Sequence, residues 1–184
     1  MEIFVTKIPD LLIIKPKIFT DSRGYFFESY NKQLLKKHNI NVEFVQDNES
    51  KSIYGVIRGL HYQIEPYAQA KLVRVLEGKV LDIAVDLRRG SPTFMRWHSV
   101  ELSAENKKQF FIPKGFAHGF AVLSETATFS YKCDDFYKPD SEKGIIFNDP
   151  QLRIDWKIDL NKAIISEKDK KLPAINEAEY NFNY

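Results

Sequence analysis

The clearest pattern in the sequence is an alternation of apolar and polar side chains that begins at Leu81. Ile83 and Val85 would point to the same side of an extended chain as Leu81, whereas Asp82 and Asp86 would point to the other side, because successive side chains of a β-strand alternate. Further strands are predicted at residues 71–76, 97–102, 110–112, 116–123 and 126–133. Short strands separated by turns every 8–12 residues or so are typical of a β-sandwich or barrel. The pattern predicts an all-β protein.

Turns between these strands are marked by glycine and proline. Glu77 and Gly78 separate the strand at 71–76 from the one that begins at Lys79, and this short break predicts a β-hairpin. Other turns are predicted at residues 89–92, 113–115 and 137–140.

Two short helices are predicted outside the strands, at residues 31–38 and 166–171. In the first, Leu34 and Leu35 would face the core. Ser166 would cap the second, because its hydroxyl can accept a hydrogen bond from a free backbone N–H of the first turn. Both helices would lie at the periphery of the β core.

Composition restricts the classes of protein that the chain can represent. Its 184 residues favour one domain, and 27 basic against 25 acidic residues leave a net charge of +2. That balance gives no broad basic surface for nucleic acid or a membrane. The single cysteine, Cys133, can form neither an internal disulfide nor a cysteine-based zinc site, which favours a reducing compartment. We therefore expect a cytoplasmic protein with no nucleic-acid or membrane partner.

Histidines are the first candidates for chemistry, and the chain has only His38, His61, His98 and His118. No two of them are two or four residues apart. The sequence therefore has neither an HxH pair nor two histidines one turn apart on a helix, and a metal site is disfavoured.

His61 lies in the segment GVIRGLHYQ, three residues after Arg58. In a regular strand the two side chains would face opposite sides, unless Gly59 introduces a bulge. Residue type alone favours a structural histidine beside a surface arginine. In the same way, His118, which lies between apolar residues and glycines, could be a buried imidazole bonded to the backbone.

Several segments together resemble the dTDP-4-dehydrorhamnose 3,5-epimerase family. They are, in chain order, residues 19–26 (FTDSRGYF), 55–63 (GVIRGLHYQ), 69–73 (QAKLV), 85–88 (VDLR), 91–94 (SPTF), 112–120 (IPKGFAHGF), 131–132 (YK), 148–150 (NDP) and 165–173. The departures from the family pattern at Met95, Arg96, Phe147 and Lys157 touch no catalytic position.

The resemblance implies a double-stranded β-helix (cupin, or jelly roll) with short peripheral helices, in a single domain over residues 1–184. It also implies a homodimer in which the N-terminal strand is exchanged with the partner, and chemistry that uses no metal or nicotinamide cofactor. The implied reaction inverts carbons 3 and 5 of dTDP-4-dehydro-6-deoxy-D-glucose to give dTDP-4-dehydro-L-rhamnose, within dTDP-L-rhamnose biosynthesis. O-antigen assembly is an expected destination of that sugar.

The same resemblance assigns four catalytic residues. His61 would be the base, oriented by Asp169, and Lys71 would stabilise the enolate that forms when a proton leaves a carbon next to the 4-keto group. Tyr131 would return a proton from the opposite face of the ring. A neighbouring cation would help the anionic form of this phenol to exist during turnover.

Six further residues would bind the substrate. Arg58 matches a diphosphate ligand, for which the guanidinium fork is suited, and His118 matches a residue near the sugar. The positions matched to contacts on the nucleotide side, some of them across the dimer interface, are Arg23, Glu28, Gln46 and Asn48.

Other functions stay open at this point. A relative that epimerises only carbon 3 or carbon 5, or a 3,4-ketoisomerase, would carry a similar set of residues. A noncatalytic cupin that binds sugar nucleotides would lack the base or the acid, and a metal-dependent isomerase or dioxygenase would bind a metal.

Overall fold

The computed structural model describes residues 1–184, and most of its regular structure is β-strand. The strands are β1 Glu2–Val5, β2 Leu12–Lys15, β3 Phe19–Asp21, β4 Gly24–Phe26, β5 Gln46–Ile53, β6 Ile57–Gln63, β7 Lys71–Glu77, β8 Lys79–Asp86, β9 Trp97–Ser103, β10 Gln109–Ile112, β11 Phe116–Val122, β12 Thr126–Cys133 and β13 Glu142–Gly144. The helices are α1 Lys32–Lys37 and three single 3₁₀ turns at Pro139–Ser141, Leu160–Lys162 and Asp169–Lys171. The all-β prediction is confirmed.

Two antiparallel sheets form the body of the protein. One has six strands in the order β1-β2-β10-β7-β12-β5, and the other has five in the order β13-β6-β11-β8-β9. Strands β3 and β4 form a separate two-stranded ribbon. Two antiparallel sheets with this interleaved strand order are the jelly-roll architecture that was expected.

The predicted hairpin between β7 and β8 is wrong, although the turn is present. β7 pairs with β10 and β12, whereas β8 pairs with β9 and β11 in the other sheet. At Gly78 the chain therefore crosses from one sheet to the other. The φ angle there is +75°, and a Cβ would lie 2.0 Å from the carbonyl oxygen of Thr126, so the crossing requires glycine. A turn signal shows where a chain reverses and leaves the partner of each strand undetermined.

Strand β8 is buried on both faces because a different core covers each one. Leu81, Ile83 and Val85 belong to a cluster that contains residues after position 145, among them Trp156. Ala84 lies in the second cluster, which fills the space between the two sheets. The alternation in the sequence thus separates two cores, and the C-terminal part of the chain closes the outer face of the five-stranded sheet.

Both predicted helices exist, but the second is shorter than predicted. The side chain of Asn31 caps α1, whose Leu35 is only 2% exposed. The Oγ of Ser166 accepts a hydrogen bond from the backbone N–H of Asp169, as predicted, yet only one 3₁₀ turn follows. Helical backbone is disfavoured immediately before Pro173, which limits the extension of this turn. None of the helices is both long and apolar enough to cross a membrane.

Candidate functional site

A cavity of about 510 Å³ opens where strands of both sheets meet the C-terminal segment. That volume is within the ordinary range for small-molecule sites. Its walls come from β6, β7, β11 and β12 and from residues 164–169. Six of the ten residues expected at the site line this cavity: Arg58, His61, Lys71, His118, Tyr131 and Asp169.

A bulge at Gly59 brings Arg58 and His61 to the same cavity. The pairing of β6 with β11 shifts register between His118 and Phe120, opposite this glycine. Gly59 has φ +122°, and a Cβ on it would lie 2.6 Å from the Cα of Gly119. Only a residue without a side chain fits that close approach. The predicted bulge is present, and it overrides the alternation that would otherwise separate the arginine from the histidine.

His61 is held by a buried carboxylate. Its Nε2 lies 2.8 Å from Oδ1 of Asp169, whose side chain is 5% exposed. Burial would raise the pKa of Asp169, but hydrogen bonds from His61, the N–H of Gly59 and Ser166 outweigh it and lower that pKa. An ionised carboxylate at Nε2 fixes the proton of the neutral imidazole there, so the other ring nitrogen is free to accept a proton. This is the arrangement of a general base with an orienting group.

Lys71 and Tyr131 supply a cation and a phenol to the same cavity. Burial lowers the pKa of Lys71, whose Nζ lies 5.8 Å from the centroid of the Tyr131 ring. Burial also raises the pKa of Tyr131, and the nearby charge of Arg58 opposes this without reversing it. The sequence predicted that a neighbouring cation would stabilise the phenolate. In the resting protein, burial raises the pKa of Tyr131 more than the charge of Arg58 lowers it, so Tyr131 keeps its proton.

His118 is bonded to a carboxylate and not to the backbone, which was one interpretation of its sequence environment. Its Nε2 lies 3.0 Å from both Oδ1 and Oδ2 of Asp82, a residue that is 0% exposed. The alternation in β8 had placed Asp82 on the side opposite Leu81. A carboxylate between the apolar residues of this strand was the feature of the sequence that indicated a partner on a neighbouring strand.

The sequence of this chain is similar to those of a known family of proteins. A family model described as dTDP-4-dehydrorhamnose 3,5-epimerase matches residues 5–177. The chain belongs to the dTDP-4-dehydrorhamnose 3,5-epimerase family. The family member of that name from Shigella flexneri is 51% identical over 181 residues, which cover 98% of this chain and 99% of the relative.

Solved structures of the epimerase family have the same fold. The crystal structure of the enzyme from Elizabethkingia anophelis NUHP1 is similar with a TM-score of 0.92 at 56% identity, covering 96% of this chain and 97% of that one. The structure from Legionella pneumophila Philadelphia 1, in complex with dTDP-4-keto-L-rhamnose, has a TM-score of 0.92 at 52% identity and covers 96% of this chain and 93% of its own.

Four residues that the epimerase resemblance placed on the nucleotide side lie outside the cavity of this chain. Arg23, in the turn between β3 and β4, has a side chain that is 88% exposed and pairs with Asp21. Glu28 accepts a hydrogen bond from the side chain of Asn31. On β5, Gln46 and Asn48 bond to each other at 3.1 Å, and Asn48 lies opposite Tyr131 of the neighbouring strand.

The structure also adds residues that the sequence did not single out. Lys168 lines the cavity directly before Asp169 and bonds to Glu142 of β13. Burial would raise the pKa of Glu142, but hydrogen bonds from Lys168 and Tyr137 lower it. Lys168 could have been suspected from its place next to Asp169, whereas Glu142 gave no local signal.

Proposed function

We propose that this chain inverts carbons 3 and 5 of dTDP-4-dehydro-6-deoxy-D-glucose and releases dTDP-4-dehydro-L-rhamnose, as an isomerase of dTDP-L-rhamnose biosynthesis. The observation that carries the proposal is the meeting of a base, a cation and a phenol in one cavity: His61 held by Asp169, with Lys71 and Tyr131. Family membership and the sugar nucleotide bound in the Legionella relative support the same substrate class.

The first step is removal of a proton from a carbon next to the 4-keto group. The ring nitrogen of His61 that Asp169 leaves free takes this proton, and the ionised carboxylate stabilises the imidazolium that results. Negative charge moves to the 4-oxygen, where the ammonium group of Lys71 stabilises it. A full positive charge in a partly enclosed cavity stabilises an enolate more than a neutral donor does.

The second step returns a proton to the other face of the same carbon. Tyr131 carries the proton because burial raises its pKa, and the resulting phenolate is next to Lys71 and Arg58. Since both carbons 3 and 5 flank the ketone, the same groups serve both inversions, once His61 has released its proton to solvent and Tyr131 has regained one. No metal or nicotinamide takes part in the proposed steps.

The diphosphate is assigned to Arg58, and His118 to the sugar. Arg58 lines the cavity at the start of β6, where its Nε donates to Ser52 at 3.1 Å and its fork is directed by that bond. A guanidinium can bind two phosphate oxygens through two parallel N–H bonds, and a lysine ammonium does not offer this planar geometry. The relative from Bacillus anthracis was crystallised with TDP and PPi bound, which supports a diphosphate site in the family.

We also propose a homodimer of single-domain chains in the cytoplasm, in which the N-terminal ribbon is exchanged. Arg23 and Glu28 do not reach the cavity of their own chain, and the ribbon exposes Phe19, Tyr25 and Phe26. In the dimer these residues would contact the nucleotide bound by the partner. Mixing an inactive Arg23→Ala variant with an inactive His61→Asn variant should restore part of the activity, because mixed dimers contain one intact site. A fully active monomer in light scattering would refute this arrangement.

The experiment that tests the reaction is NMR of the purified protein with the 4-keto sugar nucleotide in deuterium oxide. We expect deuterium at both carbons 3 and 5 and formation of the L-rhamno product. Exchange and inversion at one carbon only would instead identify a 3- or 5-epimerase, and movement of the ketone a 3,4-ketoisomerase. Binding without exchange would identify a noncatalytic cupin.

A further inference from the structure

His118 at the cavity wall and the buried Asp82 form a second histidine–carboxylate pair, and the proposed proton transfers assign no step to it. His118 on β11 lies directly opposite His61 on β6, and both side chains line the cavity. The Nε2 of each ring meets a carboxylate, Asp169 for His61 and Asp82 for His118. The two carboxylates differ in their surroundings: Asp169 also accepts the N–H of Gly59, whereas the hydrogen bonds of the Asp82 carboxylate come from His118 alone.

The second ring nitrogen of His118 is available to a ligand. Nε2 is bonded to Asp82, and Nδ1 has no partner within the chain. No side-chain nitrogen or oxygen that is shielded from solvent lacks a partner, so Nδ1 is accessible, and the accessible space around this residue is the cavity. With the proton on Nε2, Nδ1 presents a lone pair to whatever occupies the cavity.

Asp82 is also a counter-charge for Lys71. The buried carboxylate on β8 and the ammonium on β7 come from opposite sheets, and the negative charge raises the pKa that burial of Lys71 lowers. The groups whose charge raises the pKa of Lys71 are Cys133 on β12, Asp82 on β8 and Glu142 on β13. The other titratable and charged groups of the cavity are Arg58, His61, His118, Tyr131, Lys168 and Asp169. Of the two carboxylates that raise this pKa, Asp82 is 0% exposed, whereas Glu142 is only partly buried.

We propose that Asp82 is a positioning residue of the epimerase reaction: it holds His118 as an acceptor for a hydroxyl group of the sugar and keeps Lys71 charged for the enolate. The inference rests on the proposed function and deepens it. Asp82 would touch neither the sugar nor the nucleotide, because His118 and Lys71 lie at the cavity wall and the carboxylate is buried behind His118.

If Asp82 served only the fold, its charge would be expected to stabilise the folded protein. Burial raises the pKa of Asp82 more than His118 and Lys71 lower it. An acid whose pKa rises on folding costs folding free energy at any pH above that raised value and none well below its ordinary value. When ionised, Asp82 therefore opposes folding, and replacing it with a neutral isostere should not destabilise the protein. Retaining a costly charge next to the site is consistent with a role in the reaction.

Asp82→Asn is the central test, since it keeps the shape and removes the charge. The new amide can donate to Nε2 and so place the ring proton on Nδ1, which turns an acceptor into a donor. We expect kcat to fall about 10–100-fold while KM for the sugar nucleotide stays within about threefold, because the diphosphate contacts are unchanged. The alkaline limb of the kcat profile should move to lower pH, since Lys71 loses a neighbouring negative charge that raises its pKa.

Asp86→Asn is the matched control on the same face of the same strand. Asp86 is buried too, but it bonds to Arg88, Ser91 and Thr93 away from the cavity. Burial would raise its pKa, but these bonds lower it, so its charge favours folding at neutral pH. Asp86→Asn should therefore lower the melting temperature and leave the pH profile of kcat unchanged. Asp82→Asn should not lower the melting temperature, but it should shift the pH profile of kcat.

A measurement on the unmodified protein makes the test independent of any variant. Long-range ¹H–¹⁵N spectra of the His118 ring should show the tautomer with its proton on Nε2. A proton on Nδ1, or an Asp82→Asn enzyme with unchanged kcat and alkaline limb, would overturn the inference. A lowered melting temperature with an unmoved pH profile would also overturn it. If the unmodified protein does not exchange deuterium into the sugar, the proposed function itself fails, and this outcome is distinct from the others.

Discussion

Replacing Tyr131 with phenylalanine separates catalysis from folding because the hydroxyl group is not used by the fold. Tyr131 makes no side-chain hydrogen bond within the chain, and its ring packs 6.0 Å from that of Phe129 and 5.8 Å from the Nζ of Lys71. Phenylalanine keeps both ring contacts. We expect the free energy of unfolding to change by no more than about 0.5 kcal/mol, as is usual where no buried bond or cavity is created.

The expected effect on inversion is much larger. Loss of a positioned general acid typically costs about 10²–10⁴-fold in rate, which corresponds to about 3–5 kcal/mol in the barrier. His61, Asp169 and Lys71 are untouched, so a proton can still leave the sugar and the enolate can still form. Deuterium exchange should therefore continue while inversion nearly stops. The expected rise in the barrier to inversion is severalfold larger than the expected change in the free energy of unfolding.

Deuterium oxide distinguishes these outcomes in one experiment. The side chain of His61 is 28% exposed, so the proton it takes can exchange with solvent before it is returned to the same face. ¹H NMR and mass detection should show deuterium entering the substrate with retained configuration and little L-rhamno product. Inversion by Tyr131→Phe at the rate of the unmodified protein would refute the reasoning and assign that face of the sugar to water or to another acid.

Three further predictions concern the other groups of the site. Asp169→Asn should lower kcat about 10²–10⁴-fold in a steady-state assay, since the amide no longer fixes the His61 tautomer or stabilises its cation; an unchanged kcat would contradict this role. Burial lowers the pKa of Lys71, and the enolate requires the charged form of this residue, so kcat should fall as pH rises through that lowered value. A pH–rate series of Lys71→Met should lack this alkaline limb. A limb that persists in the variant would assign it to another group. Protein treated with a chelator should keep its full rate, and loss restored by one divalent metal would contradict the proposed steps.

Much of the fold could be predicted from the sequence because strand alternation is a local property. The limits predicted for β12 agree with those in the structure, and α1 begins at its Asn31 cap. The pairing of strands could not be predicted in the same way. Gly78 marks a reversal, but whether the chain pairs with itself or crosses to the other sheet depends on contacts with β10 and β9, which lie later in the sequence.

Within the site, too, the sequence predicted contacts between nearby residues but not contacts between residues far apart in the chain. Gly59 gave a local reason for Arg58 and His61 to share a face, and the bulge is present. Spacing alone could not place Asp169, which lies 108 residues from His61; only the family resemblance pointed to it. Asp82 was visible as a carboxylate in an apolar strand, but its partner was not, because cross-strand register is set by the whole sheet.

The late position of Asp169 in the chain also determines when the protein can become active during synthesis. Every strand of both sheets precedes it, and it joins the sheet through two side-chain contacts, to His61 and to the N–H of Gly59. A chain emerging from the ribosome can pair its strands before the carboxylate has been made. Catalytic competence is thus acquired only after all strands of both sheets have been synthesised, and an incomplete chain that ends before Asp169 would lack an oriented base.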